Sequence, residues 1–265
     1  MKNKSISAIA CCLLFIGLAG CKSHYELGGI NRTRILIDSR YDYAGENASK
    51  MHGVSDAIAF LAPYKQKVDS VMGPVLGEVA RDMYAKRPES ELSNLLPDIL
   101  MYMAKDYGEN PDFSVYNVGG IRSALAKGKV TFGDVLDVAP FENKISFVTL
   151  TGDKVMELFR QIAAKGGEGV SHGVELVITK DDRLVSAKLN GKEIDPEAKY
   201  RITTIDYLVQ GNDQLTAFKS GTDINSPKDE KYNSRYIIAE YFRKMTQQGK
   251  VVDASVEGRI KVIDN

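Results

Sequence analysis

Residues 114–125 read SVYNVGGIRSAL. An apolar run, Phe113 to Tyr116, reads as a strand, and the chain leaves it through Asn117, Gly119, Gly120 and Arg122. Glycine tolerates positive φ and lets a ligand come close to the main chain. Arginine presents a forked cation suited to an anion. A turn that only reverses the chain needs no arginine. The stretch is therefore a candidate site, and its surroundings must say for what.

Upstream, apolar residues from about Ser55 recur three and four apart (Ile58, Leu61, Val68, Met72), which predicts a helix that Pro63 restarts or kinks. GPVLGEVARDM (73–83) begins as a strand. ELSNLLPDILMYMAKDYG (91–108) reads as a helix with Leu92, Leu95, Leu96, Ile99, Leu100 and Met103 on one face and Gly108 as its stop. Downstream, TFGDVLDVAPFEN (131–143) is a short helical or irregular piece ending at Pro140, and KISFVTL (144–150) alternates as a strand. Thr151 then caps an amphipathic helix with Val155, Leu158, Phe159 and Ile162 as its stripe and Gly166 as its end. Val174, Leu176 and Ile178 alternate, Asp181-Asp182 turns, and RLVSAKLN returns as a hairpin, with a second turn at Asn190-Gly191. YRITTIDYL (200–208) is a strand leading to Gly211. A helix covers 234–247, and GRIKVI (258–263) is a further strand. Helices and strands interleave with hairpins, which predicts an α+β class: a mixed β-sheet flanked by helices, in one domain over residues 55–265.

The chain has 265 residues, 43% apolar and 26% charged, enough to bury a core. Basic and acidic residues both number 35, so no field favours a nucleic-acid polymer. The N-terminus is more informative. Lys2 and Lys4 precede an apolar stretch, Ile6 to Leu18, and then Leu18-Ala19-Gly20-Cys21. This pattern predicts a secretory leader over residues 1–20. LAGC resembles a bacterial lipobox, which implies a lipid on Cys21, a polar tether over 21–54, and a membrane-anchored protein of the bacterial cell envelope facing the periplasm. A plain leader that happens to carry a cysteine is the alternative. Removing the leader takes Cys11 and Cys12 with it, leaves no pair for a disulfide, and leaves 33 basic against 35 acidic residues.

The absences narrow the chemistry. The three histidines, His24, His52 and His172, have no metal-like spacing to one another or to a carboxylate. There is no G-x-S-x-G elbow, no Walker loop and, once Cys21 is lipidated, no free thiol. A two-metal phosphatase needs more histidines and aspartates at close quarters than this chain brings together. No catalytic residue and no metal site is assigned within it.

Residues Asn117 to Gly152 resemble the C-terminal domain of 5′-nucleotidases and UDP-sugar hydrolases. The marks are N-x-G-G-I-R, a P-F-x-N at Pro140–Asn143, and an apolar strand ending in Thr151-Gly152. Tyr200-Arg201 then opens a strand, DYLVQGNDQL (206–215) stands where the family has dyLa-x-G-G-D-G-F, and EGRI (257–260) closes the pattern. The resemblance spans roughly residues 60 to 263. It implies a substrate-recognition domain whose partner domain, a metallophosphoesterase, carries the divalent metals and the catalysis. No cofactor is expected in this chain. The expected ligand is a nucleotide or nucleoside, bound by Asn117, Gly119, Gly120, Arg122, Phe141, Asn143, Tyr207 and Asp213. By position in the motifs, Arg122 and the glycine backbone lie near phosphate or ribose. Phe141 and Tyr207 stack on the two faces of a base, Asn143 meets its edge, and Asp213 accepts from the ribose hydroxyls. Without the resemblance, Phe141 and Tyr207 read better as core aromatics than as ligand contacts, and Asn117 and Asp213 could be turn residues. Two family glycines are replaced, by Asn212 and Gln214, and the family's upstream arginine is matched only out of register by Arg87, with Pro88 intervening. The expectation is a free-standing lipoprotein that serves as the recognition half of a split 5′-nucleotidase. The alternative is a non-enzymatic nucleoside- or nucleotide-binding surface lipoprotein.

Overall fold

The computed structural model describes the backbone of residues 52–264 and side chains from Ile58 onward. The expected leader, Cys21, His24 and nearly all of the expected tether lie outside the described residues, and the His52 side chain does too.

Helix α1 spans His52–Met72 and runs unbroken through Pro63. Its apolar repeat faces outward: Ile58, Leu61, Val68 and Val71 are more than half exposed, as are Phe60 and Tyr64 beside them. Among the described residues no helix is long and apolar enough to cross a membrane. From Ile58 onward the chain forms a single unit.

Strand β1 (Val75–Val79) pairs antiparallel with β3 (Gly128–Thr131), a strand too short to show any alternation in the sequence. Helix α2 (Glu91–Met103) passes into a 3₁₀ turn, Ala104–Tyr107, and stops at Gly108 with φ of 69°. Glycine reaches this left-handed C-cap without the Cβ penalty. All six residues of its expected stripe are buried.

A five-stranded mixed sheet follows the order β10-β4-β9-β2-β5: β2 is Phe113–Tyr116, β4 Ile145–Thr151, β5 Gly169–Val170, β9 Lys199–Ile205 and β10 Thr222–Asn225. Strands β2 and β9 run parallel, and β4 pairs antiparallel with β9 along its whole length. Every residue of β2 is buried, as expected for a strand covered on both faces. Helix α2 packs on β2, β5 and β9, and α4 (Gly152–Ala163) packs on β4 and β9. Phe113 of β2 meets Phe159 of α4 at 5.4 Å between ring centres. A second sheet, β11-β6-β7-β8, is built from the hairpin β6 (Val174–Thr179) and β7 (Leu184–Leu189), the short β8 (Lys192–Glu193) and β11 (Ile260–Ile263), which lies parallel to β6. Asn190 and Gly191 both take positive φ, 52° and 74°, as their hairpin turn requires. The single expected sheet is therefore three, within the expected mixed α/β class.

Helix α3 (Phe132–Val138) starts at Thr131, whose side chain accepts from the Asp134 N–H in a capping box. Helix α6 (Ser234–Gln247) has the expected span, with Ile237, Ile238, Phe242 and Met245 buried and Tyr241 half-buried. The expected strand 200–208 ends early: it stops at Ile205, and Asp206–Val209 form a one-turn helix, α5. The Asp206 carboxylate explains the break. It accepts from the Tyr207 N–H at 2.9 Å and from the Lys144 N–H at 3.0 Å, offering the backbone a local partner in place of the ladder.

Candidate nucleotide-binding site

Three loops meet at one end of the five-stranded sheet. The first leaves β2. Asn117 is extended, and Val118–Gly120 form one 3₁₀ turn. Neither Gly119 nor Gly120 takes positive φ, contrary to the sequence expectation. Gly120 is required for another reason: a Cβ there would stand 2.7 Å from Asn117 Oδ1. At Gly119 the nearest atom to such a Cβ is Asp213 Oδ2 at 3.9 Å, so that position is open on the side facing Asp213.

The second loop is Phe141–Lys144. It is tied at its end: the Asn143 carbonyl accepts from the Ser234 N–H at 2.7 Å, and the Lys144 carbonyl accepts from Asp206 N–H at 2.8 Å. Phe141, just ahead of this anchor, is 47% exposed. The third loop follows α5. Gly211 has φ of 79°, and Asp213 and Gln214 follow at 53° and 63°. Asn212 Nδ2 donates to the Tyr207 carbonyl at 2.9 Å, and Leu215, fully buried, fixes the far side.

Asn117, Gly119, Gly120, Phe141, Asn143, Tyr207 and Asp213 together line one hollow of about 200 Å³. Asn117 Nδ2 donates to Asp213 Oδ2 at 2.7 Å, and the Tyr207 hydroxyl donates to Asp213 Oδ1 at 3.1 Å. Accepting that bond, the Asp213 carboxylate pushes the Tyr207 phenol above its ordinary pKa, with partial burial adding to the effect. Asn117 is 4% exposed, and its Oδ1 has no hydrogen-bond partner among the described residues. Among those residues neither Phe141 nor Tyr207 stacks on another aromatic ring. Seven of the eight expected binding residues are thus brought together. Arg122 is not among the lining residues. It is exposed, and its Nη1 donates to the Gly119 carbonyl at 3.1 Å, on the loop it was expected to serve. A larger hollow of about 350 Å³, between β1 and the C-terminal end of α6, contains none of the motif residues.

Sequence reasoning missed the support beneath the first loop. Glu168, 1% exposed, accepts the Val118 N–H at 2.5 Å, and its other oxygen takes Arg87 Nη2 at 2.5 Å. Arg87 also donates to the Gly167 carbonyl. The out-of-register arginine is therefore spent bracing the loop. Nothing in the K-G-G-E-G run marked Glu168, because its role depends on a partner 50 residues away.

The EGRI motif lies elsewhere. Arg259, 4% exposed, pairs both terminal nitrogens with Asp98 at 2.9 and 2.7 Å, and donates to the Val170 carbonyl at 2.7 Å and to Glu257 at 3.0 Å. Burial opposes its charge, but Asp98 and Glu257 prevail and hold the guanidinium above its ordinary pKa. Glu89, also buried, accepts from Asn94 and from the Glu257 and Gly258 N–H groups. This cluster stitches β11 and its approach to α2. The His172 ring meets Glu257 there while its backbone N–H donates to Asp98 at 2.8 Å, and among the described residues no group of three His, Cys, Asp or Glu is placed to hold a metal ion.

Comparison with known proteins agrees with the motifs. The family model described as "5'-nucleotidase, C-terminal domain" matches residues 71–220. Protein UshA of Escherichia coli is 25% identical over 202 residues, covering 75% of this chain and 36% of that protein. Cell wall protein Lmo0130 of Listeria monocytogenes is 26% identical, covering 91% of this chain and 36% of that one. Among solved structures, a 5′-nucleotidase precursor from Thermus thermophilus superimposes with a TM-score of 0.67 at 25% identity, covering 80% of this chain and 44% of that one. The chain thus spans little more than a third of the length of these two curated relatives. By the family match, over more than half its length, the chain belongs to the 5′-nucleotidase C-terminal domain family.

Proposed function

We propose that the protein is the nucleotide-recognition component of a 5′-nucleotidase-type system, held at the bacterial envelope by a lipid on Cys21, and that a separate metal-dependent phosphoesterase performs the cleavage. The observation that carries this reading is the convergence of Asn117, Gly119, Gly120, Phe141, Asn143, Tyr207 and Asp213 on one hollow. A half-exposed ring at Phe141 and the aromatic ring of Tyr207 suit a base, whose π-faces stack without regard to its identity, at roughly 1–3 kcal/mol per base. A carboxylate opposite suits sugar hydroxyls. Three histidines in the whole chain favour a metal centre supplied from outside it.

The test begins with equilibrium binding of adenosine, AMP and UDP-glucose to the purified full-length chain, with Phe141→Ala and Tyr207→Ala as controls. Micromolar binding that both variants weaken is the expected result; no binding of any of the three ends the reading. Phosphate released from AMP by the chain alone, with Mn²⁺ or Zn²⁺, would remove the need for a partner. Nucleotidase activity that appears only with a co-purifying metallophosphoesterase supports it. The anchor is checked by metabolic labelling with a fatty-acid analogue, which should mark the wild type and not Cys21→Ser.

A further inference from the structure

Helix α1 runs unbroken yet packs against almost nothing. From Ile58 to Val71 every residue is exposed. Only its last turn is seated: Met72 is half-buried, and a Cβ on Gly133 of α3 would stand 3.4 Å from it. At 3.6 residues per turn, Phe60, Val71, Tyr64, Val68, Leu61 and Ile58 fall in that order across one arc of about 160°. Lys67 stands at one margin of the arc and Lys65 at the other, while Ala59, Ala62, Gln66 and Ser70 hold the opposite side. Pro63, also on that side, offers no N–H to the Ala59 carbonyl, so the acceptor it frees is turned to water. A helix draws most of its stability from packing such an apolar face, and contiguous exposed apolar surface of this kind marks a contact.

A second copy of the chain fits the face poorly. Ile58 to Met72 measures about 21 Å, and two helices paired over that length bury less than the roughly 1,000 Å² of a lasting interface. Nor does a self-pair offer an acid to the lysines. Asp69, the one carboxylate of the stretch, already pairs with Lys65 on its own helix. A lipid leaflet takes the whole arc at once, and lysine stems lie along the apolar boundary while their ammonium groups reach headgroup phosphates. The route of the chain points the same way: the segment with the expected lipid, Cys21 and residues 22–51 behind it, enters α1 at its N-terminal end.

We propose that α1 lies flat on an anionic lipid surface, with the arc from Phe60 to Ile58 at the acyl boundary and Lys65 and Lys67 among the phosphates. The inference rests on the reading of Cys21 as a lipid anchor. Anchor and helix meet the same leaflet, so once the anchor has brought the chain there, high local concentration lets a modest interfacial helix bind. The acyl group retains the protein; the helix draws its body from the end of the tether onto the surface.

The chain has no tryptophan, so a single one reports its own surroundings. In residues 22–265, which contain the whole described unit and lack Cys21, Phe60→Trp marks the apolar arc and Ser70→Trp the opposite one. The probe is a vesicle of three parts phosphatidylethanolamine to one of phosphatidylglycerol. On adding it, the Phe60→Trp emission should move to shorter wavelength and resist acrylamide quenching, while that of Ser70→Trp stays unchanged. Leu61→Asp, added to Phe60→Trp, should weaken vesicle binding at least about tenfold, and Lys67→Gln about fivefold. A shift in both tryptophan variants, or in neither, overturns the inference. So does a Phe60→Trp shift that appears without vesicles and grows with protein concentration, because a second copy then covers the face. Fatty-acid labelling of Cys21 in the whole chain is read separately. A labelled Cys21 without the vesicle shift removes the helix's role and keeps the anchor; the shift without labelling removes the anchor and keeps the helix on lipid.

Discussion

Two buried polar clusters in this molecule look alike in composition and behave differently. Around Arg259, every nitrogen is met: Asp98 takes one proton from each terminal nitrogen, Glu257 takes that of Nε, and the Val170 carbonyl takes a second from Nη1. Around Asp213, the protein supplies one donor to each carboxylate oxygen and leaves Asn117 Oδ1 without a partner. Unsatisfied polar groups in a closed interior are costly, so a cluster used only for folding is expected to be complete. The incomplete one lines a hollow. The difference separates a motif that holds the chain together, EGRI, from motifs that leave capacity for something else, although all arrive in the sequence as equal parts of one family pattern.

The sharpest way to break this contrast is Arg259→Met. It strands Asp98 and leaves the Val170 carbonyl unpaired, and should cost about 3–5 kcal/mol in chemical denaturation. A loss under about 1 kcal/mol would mean the cluster is dispensable. Gly120→Ala comes next. Its Cβ must displace Asn117 Oδ1, 2.7 Å away, and should destabilise by about 1–3 kcal/mol and weaken nucleoside binding. Gly119→Ala, open on that side, should lose less than about 1 kcal/mol, and equal losses at the two glycines would refute the close-approach argument. Phe141→Ala removes a half-exposed ring, so stability should change by less than about 1 kcal/mol while base binding loses roughly 1–3 kcal/mol by calorimetry. The smallest effect is at Gln214, held at φ of 63°. Gln214→Gly relieves roughly 1–2 kcal/mol of left-handed strain against up to about 1 kcal/mol of added chain entropy, for a net gain of about 0.5 kcal/mol in melting experiments.

Local pattern and long-range pairing divide what was legible in the residues. Helix α6 and the Asn190-Gly191 hairpin declare themselves by spacing and turn chemistry, and the structure has them where expected. Strands β3 and β10 do not, because four residues carry too little alternation and their existence depends on the strands they join. The end of β9 at Ile205 was hidden because only the fold brings Lys144 to the Asp206 carboxylate. Both glycines of the first loop were noticed, but the left-handed backbone first offered for them fails. Gly120 makes room for the side chain of Asn117, which no spacing rule reports. Arg122 drew attention by its charge, yet it folds back on its own loop, and Glu168 escaped attention because a lone glutamate after a helix looks like solvent-facing surface.

The position of Arg259 has a consequence for biosynthesis. Its partners Asp98 and Val170 precede it by 161 and 89 residues, so the cluster closes only once Arg259 itself has been synthesised. Long-range closure of this kind makes the docking of β11 a late step of folding.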